Sequence, residues 1–413
     1  MFIGAIADDL TGATDLALML KRGGMRVVQL VGVPRAAIEI GDVDAVVVAL
    51  KSRTIPVADA VSQSLESAKR LLAAGARQLF FKYCSTFDST DVGNIGPVTD
   101  ALLDLLGETR TIACPAFPAN GRTVFKGHLF VGDVLLSDSS MRNHPLTPMR
   151  DANLVRVLQR QTQRPVSLIA HDVVAGEDAT LQRAVDDLQG IAIVDAIDEG
   201  DLRRIGHAAR SLKLVTGGSG VALGLPTNFD LPPRAAEIAV RAAAGRSVIL
   251  AGSCSVATRR QVEVARQAGV PALKLDPLRI AGGKISVGDA VDFARRTPTG
   301  GTPLIYSSDD PAIVAGVQDQ LGRGAAGELV ERFLGEVAQQ LAADGFTRFL
   351  VAGGETSGAV VGALGIEAMH IGPEIDPGVP WTVTLGDKPL ALALKSGNFG
   401  SEDFFVKAWS LVQ

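Results

Sequence analysis

Along almost the whole chain, short apolar runs alternate with stretches of helical periodicity. The runs predict strands at Phe2–Ala7, Val27–Val31, Ala45–Leu50, Gln78–Lys82, Thr111–Cys114, Val166–Ala170, Ile191–Val194 and Lys213–Thr216. Several of them, such as AVVVAL, show no polar alternation, which marks strands buried on both faces of a parallel sheet. Between Ala58 and Ala74 the period changes, and Val61, Leu65, Ala68 and Leu72 form one apolar helical stripe. Strands that alternate with amphipathic helices predict an α/β fold, a mostly parallel sheet flanked by helices.

The pattern breaks once. LPTNFDLPPRAAE carries three prolines and no period, so residues 226–246 read as a linker between a domain at 1–225 and one at 247–413. The second domain repeats the alternation. Strands are predicted at Ser247–Ala251, Ala272–Leu275, Pro303–Ser307 and Thr347–Ala352, and helices at Val256–Ala268, Gly288–Arg296 and Gly327–Ala343. β-like runs at Trp381–Leu385 and Leu390–Leu394 and a short helix close the chain. Residues 116–150 have little periodicity, and a long irregular segment inside a compact domain is often functional. The expected architecture is two α/β domains with a ligand cleft between them.

Composition narrows the function. The 413 residues are 47% hydrophobic and 21% charged, as in an ordinary globular protein. The formal net charge of −5, without any block of like charges, argues against nucleic-acid or membrane-surface partners. There is neither a leader-like start nor an uninterrupted apolar stretch of about 18 residues. The three cysteines, Cys84, Cys114 and Cys254, are scattered, and so are the five histidines. That spacing predicts reduced thiols in a cytoplasmic protein rather than a zinc site.

Ligands of open α/β sheets bind beyond the carboxyl ends of the strands, so the residues that follow each strand carry the candidate chemistry. ADDLTGATD follows the first strand. Asp8 and Asp9 cannot share a face, so one is expected toward a ligand and the other on the helix N-terminus. Capping alone and proton transfer are both open to them. Arg53 follows VVVALKS. Lys82, Ser85 and Thr86 lie in FFKYCSTFDST, and Asn120 and Arg122 follow CPAFPA. Cations beside hydroxyls suit a small hydroxylated carboxylate. In the second domain AGSCS holds Ser253 and Ser255, GGETSGAVVGALG opens with Gly353, Gly354, Glu355 and Thr356, and LALKSGNFG holds Lys395 and Gly397. Three polar glycine-rich turns at strand ends suit a phosphate, although no GxxxxGK[ST] exists. Lys395 and a metal ion are candidates for neutralising it, and Gly358, Gly362 and Gly365 are expected to permit tight helix–sheet packing.

Taken in order, IADDLTGATD, FFKYCSTFDST…GNIGPVTDAL, CPAFPANGRTVFKGHLFVGD, HPLTPMRDANL, AGSCSVATRRQ, GGETSGAVVGALG and LALKSGNFG resemble the four-carbon acid sugar kinases over nearly the whole chain. The resemblance implies a sugar-acid-binding N-terminal domain and a nucleotide-binding C-terminal domain. It also implies ATP and Mg²⁺ as cofactors, with ATP contacts on Ser255, Gly353, Gly354, Glu355, Thr356 and Gly397. Acid-sugar contacts are implied near Asp8, Asp9, Arg53, Lys82, Ser85 and Thr86. Asp88 stands where members acting on threonate or erythronate carry arginine, which points to a 3-oxo-tetronate substrate. The acids that would hold the metal stay open. A homodimer is the commonest assembly. The rival readings are threonate or erythronate phosphorylation and a non-catalytic sensor. A nicotinamide dehydrogenase is disfavoured, because no GxGxxG follows the first strand.

Overall fold

The computed structural model describes residues 1–35, 41–144, 146–231, 245–298, 300–386 and 388–411. Most of the stretch read as a linker, 232–244, lies outside these residues. The chain divides into two units, Met1–Ala235 and Ala236–Gln413.

Unit one contains strands β1 (Ile3–Ala7), β2 (Val27–Val31), β3 (Ala45–Ala49), β4 (Gln78–Lys82), β5 (Arg110–Cys114), β6 (Arg122–Phe125), β7 (His128–Val131), β8 (Val134–Leu135), β9 (Val166–Ile169), β10 (Gly190–Val194) and β11 (Leu214–Gly217). Eight of them form a parallel sheet in the order β2-β3-β1-β4-β11-β5-β10-β9. The apolar runs are buried as their lack of alternation predicts: every residue of β1, β3 and β4 is buried. The irregular-looking segment 116–150 contains the antiparallel sheet β6-β7-β8. Its strands have two to four residues, too short to leave a period in the sequence.

The helix Val57–Ala73 buries Ala60, Ser64, Ser67, Ala68 and Leu71 most deeply. Val61, Leu65 and Leu72 of the expected stripe are only half-buried. Small residues at the contact let the helix sit close on β1. A Cβ on Gly4 would lie 2.9 Å from that of Leu71.

Unit two contains β12 (Arg246–Ala251), β13 (Ala272–Lys274), β14 (Leu304–Tyr306), β15 (Phe346–Ala352), β16 (Ala368–Asp376), β17 (Val379–Thr384) and β18 (Ala391–Lys395). They run in the order β13-β14-β12-β15-β18-β17-β16. The first five are parallel, and β17 runs against β18 and β16. Trp381, Phe404 and Phe405 anchor a core on one face with Ile249, Leu304 and Leu350. The strand Ala368–Asp376 and the helix Pro311–Leu321 were not expected from the sequence. Gly372-Pro373 interrupts the first, and prolines are rare within strands. No helix among the described residues is long and apolar enough to cross a membrane.

Candidate functional site

Register brings the first cluster together. Ala7 is level with Ala49 of β3 and Lys82 of β4, so three strands end side by side. The chain beyond them stays stitched: the Asp8 amide donates to the Lys82 carbonyl, and the Ser52 amide to that of Asp8, each at 3.0 Å. Asp9 is the N-cap of the helix Leu10–Arg22. Its carboxylate accepts from the Gly12 amide at 3.1 Å and the Thr11 hydroxyl at 3.0 Å. Asp8 takes no part in the cap. Both its oxygens accept from Arg53, from Nε at 2.9 Å and from Nη2 at 2.8 Å. Nη2 also lies 2.9 Å from Asp9, and Nη1 lies 3.5 Å from Asp88. The sequence therefore placed these residues together, but the Arg53 fork is taken up by protein carboxylates.

Two residues outside the sequence-predicted site set hold this arrangement. Asn94 donates through Nδ2 to the carbonyls of Ser52, Arg53 and Ile55 at 2.8, 3.2 and 3.0 Å, fixing the loop that carries Arg53. Asp88 accepts from the Thr86 hydroxyl at 2.6 Å. It follows Phe87 in a turn where both residues have positive φ, 66° and 38°. Such strain costs about 1–3 kcal/mol per residue and persists where the surroundings enforce it. Phe87 is buried edge-on against Tyr83, with ring centroids 5.5 Å apart. The sequence signals were GNIGPVTDAL for Asn94 and the STFDST turn for Asp88.

Burial pushes the Asp8 carboxyl above its usual range, against the pull of Arg53. Burial also opposes the charge of Asp9, but Arg53, Lys82 and the cap hydrogen bonds outweigh it and hold that carboxyl low. Arg53 itself stays charged: Asp8 and Asp9 more than reverse the effect of its burial. The side chain of Asp8 is 7% exposed and that of Asp9 27%, so Asp9 is the carboxylate within reach of a ligand. Burial and Asp88 push the Cys84 thiol up to about 12.

Lys82 is buried and donates to the Tyr83 carbonyl at 2.8 Å. A Cβ on Gly12 would lie 2.2 Å from Asp9 Oδ1 and 2.7 Å from Lys82 Nζ, so any other residue there would push these two charged ends aside. Thr86 is committed to Asp88, and Ser85 is half-buried. Arg122 donates through Nη1 to the Asn120 carbonyl. Asn120 Nδ2 and Arg122 Nε are both enclosed without a hydrogen-bond partner. Burial lowers the Arg122 pKa, while Cys84 and Asp88 oppose that fall. Among Asp8, Ser52, Arg53, Asp88 and Asn94 only about 10 Å³ remains free, about the least that one water needs. An open cavity of about 490 Å³ begins at Ser89 and runs between Thr90–Val92 and Pro148–Asp151. Gln161 fastens its rim, accepting from Ser89 and Gly96 and donating to Thr90.

Unit two repeats the device. Ala352 is level with Ala251 of β12 and Lys395 of β18. The amides of Gly252 and Ser253 donate to the Ala352 carbonyl, and that of Gly353 to Lys395. Ser255 caps the helix Val256–Gln267, and its hydroxyl reaches the Gly397 carbonyl at 2.6 Å. Gly353, at φ 128°, precedes the helix Gly354–Ala363. A Cβ on Gly252 would lie 2.2 Å from the Thr356 hydroxyl, and one on Gly397 2.5 Å from that of Ser253. The three turns are therefore one packed unit, in which two helix N-termini lie beside serine hydroxyls. Gly354 and Glu355 lie exposed at its surface. Such a place suits the oxygens of a phosphate.

Two expectations are corrected here. Lys395 does not reach out to pair directly with a ligand: it is fully buried and donates to Thr258, Ser396 and Gly397. Gly358 and Gly362 are not packing contacts, since a Cβ on either would meet nothing within 4 Å. The close contact is made instead by Gly335 against Ala359 and Ala363. Gly365 has the left-handed φ of 65° that ends the helix. Among the described residues no group of three or more His, Cys, Asp or Glu is placed to hold a metal.

Comparison with known proteins bears on both clusters. Residues 3–225 match the family model of a sugar-binding N-terminal domain, and residues 248–405 that of a nucleotide-binding C-terminal domain. A 3-oxo-tetronate kinase of Burkholderia multivorans is 57% identical over 98% of this chain and 96% of its own. One of Pseudomonas fluorescens is 54% identical over the same shares. Among solved structures, Haemophilus influenzae protein HI1011 is 42% identical with a TM-score of 0.79, covering 99% of this chain and 100% of its own. A Salmonella typhimurium LT2 protein, provisionally named a tRNA synthase, is 42% identical with a TM-score of 0.88, covering 100% of this chain and 99% of its own.

Proposed function

Because this chain belongs to the four-carbon acid sugar kinase family, we propose that it transfers the γ-phosphoryl group of ATP to the 4-hydroxyl of 3-oxo-tetronate. The observation that carries the reading is identity of 54–57% over nearly the full chain with relatives named for this activity. Residues 1–225 take the acid and residues 247–413 take ATP, a division supported by the two family models. ATP dependence fits a cytoplasmic enzyme.

Asp9 orients the 4-hydroxyl and accepts its proton as the oxygen bonds to the γ-phosphorus. The bond from that phosphorus to the β-bridging oxygen breaks, ADP leaves, and the proton passes on to solvent. Such transfers rest on positioning and charge rather than covalent chemistry. Asp8 acts through Arg53, which it holds against Asp9. Arg53 is already paired with Asp8, Asp9 and Asp88, so the C1 carboxylate falls to Arg122 and Asn120, whose enclosed donors lack partners, with Lys82, Ser85 and Thr86 framing the same turn. The phosphates sit on Ser253, Ser255, Gly353, Gly354, Thr356 and Gly397. Mg²⁺ typically takes one or two carboxylates plus phosphate oxygens, and Glu355 in the first turn of its helix is suited to that. The ion supplies charge neutralisation for the transferring group.

The test is ADP release with ATP, Mg²⁺ and a panel of four-carbon acids. The expected result is turnover of 3-oxo-tetronate in preference to threonate and erythronate. Preference for either of those would keep the class and change the substrate. Binding of both ligands without ADP release would make the protein a sensor.

A further inference from the structure

Lys395 is a buried amine without a counter-ion. It ends β18, none of its surface is exposed, and Nζ donates to Thr258 Oγ1 at 2.9 Å and to the carbonyls of Ser396 and Gly397 at 3.0 Å each. All three acceptors are neutral. Among the described residues no carboxylate forms an ion pair with it. The charged residues of the elements packed on it are spoken for or remote in effect. Arg259 pairs with Asp310, and Arg260 with Glu263 and Glu402. Neither these, nor Arg348 on β15, nor Glu355 moves its titration. Burial alone does, lowering it to about 7. A charge enclosed without a partner is costly, and proteins keep one where something else supplies the opposite charge.

The three hydrogen bonds of Lys395 end on the turn at Ser396–Gly397 and on the first turn of the helix Val256–Gln267. These are the backbone elements assigned above to the phosphates. We infer that Lys395 is the counter-charge of the bound nucleotide, taking up a proton from solvent when a nucleoside polyphosphate settles on the turns it braces. The inference rests on the nucleotide reading of this site and adds a proton to it. Without nucleotide, burial favours the neutral amine. Polyphosphate favours the charged form, which strengthens the three donated bonds and firms the turns.

Calorimetric titration of the full chain with ADP at pH 8, in two buffers of different ionisation enthalpy, measures the proton directly. The wild type should take up close to one proton per ADP, and its ADP Kd should rise as pH goes from 7 to 9. Lys395→Arg, which is charged at every pH in this range, should bind ADP with almost no uptake. No uptake by the wild type, or equal uptake by the variant, overturns the inference. Absence of ADP binding to the wild type would instead sink the nucleotide reading, and the inference with it. Should the variant fail to fold, the wild-type uptake profile from pH 6 to 10 decides. Uptake greatest above pH 7 supports Lys395, and uptake confined below pH 7 refutes it.

Discussion

Asp9→Asn removes one negative charge and leaves the local fold almost intact. Asparagine is as good an N-cap as aspartate, and its Oδ1 can still accept the Gly12 amide, now at 3.1 Å. The Arg53 contact at 2.9 Å weakens, but Arg53 keeps both bonds to Asp8. The pair with Asp9 is partly exposed, so the stability cost is about 1 kcal/mol or less. That corresponds to a Tm shift of about 2–4 °C for a unit of this size. Catalysis should suffer far more. Loss of a group that orients a hydroxyl and takes its proton costs about 10²–10⁴-fold, equivalent to ~2.7–5.4 kcal/mol of transition-state stabilisation. An assay coupling ADP release to NADH oxidation, run with 3-oxo-tetronate alongside a thermal melt, separates the two effects. Asp8→Asn should behave differently. Its amide sets an N–H against the guanidinium, so it should lower Tm more than Asp9→Asn. If Asp9→Asn keeps kcat within about threefold while Asp8→Asn abolishes it at unchanged Tm, the roles given to the two acids are wrong.

Gly252→Ala and Gly397→Ala place a methyl group 2.2 and 2.5 Å from the hydroxyls of Thr356 and Ser253. Each should raise the ATP KM at least tenfold, about 1.4 kcal/mol, with the acid-sugar KM held, as initial rates at varied ATP will show. Asn94→Ala strands three carbonyls that now share one donor group. It should cost about 1–3 kcal/mol, read as a lower melting temperature together with a lower kcat as Arg53 loosens. Folding holds the Asp9 carboxyl below its ordinary value of 3.8. Its contribution to stability is therefore complete above that value and lost as pH falls through the lower, folded one. Denaturant melts should show the wild-type advantage over Asp9→Asn constant above about pH 5 and shrinking in more acid solution.

The strands and the polar turns after them were legible because buried parallel strands are written as unbroken apolar runs, and the polar turns begin where those runs stop. Pairing was not legible. Nothing local in ADDLTG or LKSRT says that Arg53 bonds Asp8 bidentately and leaves the cap to Asp9. That follows from Ala7 being level with Ala49 and Lys82, a property of the sheet. The glycines of GGETSGAVVGALG look alike in sequence and differ in space. Gly353 is pressed against Ser253 and Thr356, whereas Gly358 and Gly362 face nothing. The hairpins of residues 122–135 escaped because four-residue strands give periodicity too little length to register.

The two sites differ in where their countercharge lives. Each is built on a lysine that ends a central strand, Lys82 on β4 and Lys395 on β18, and each donates to the carbonyl of the residue after it. Lys82 lies across Gly12 from the Asp9 carboxylate, and its charge helps to hold that carboxyl low. Its partner is thus part of the chain, and the cluster of Asp8, Asp9, Asp88, Arg53 and Lys82 comes close to balancing itself. A self-balanced cluster can orient a hydroxyl without first being filled by an anion. Lys395 has neutral oxygens only, so its balance has to come from outside, as it would from a polyphosphate. Introducing a carboxylate beside Lys395 should therefore weaken nucleotide binding by supplying internally what the ligand brings. Thr258→Asp, at the 2.9 Å contact, is the substitution that does so. It should also leave less proton uptake on ADP binding, because the ammonium is then already charged. Both shifts together, read by calorimetry, are what this electrostatic division requires; tighter ADP binding by Thr258→Asp would contradict it.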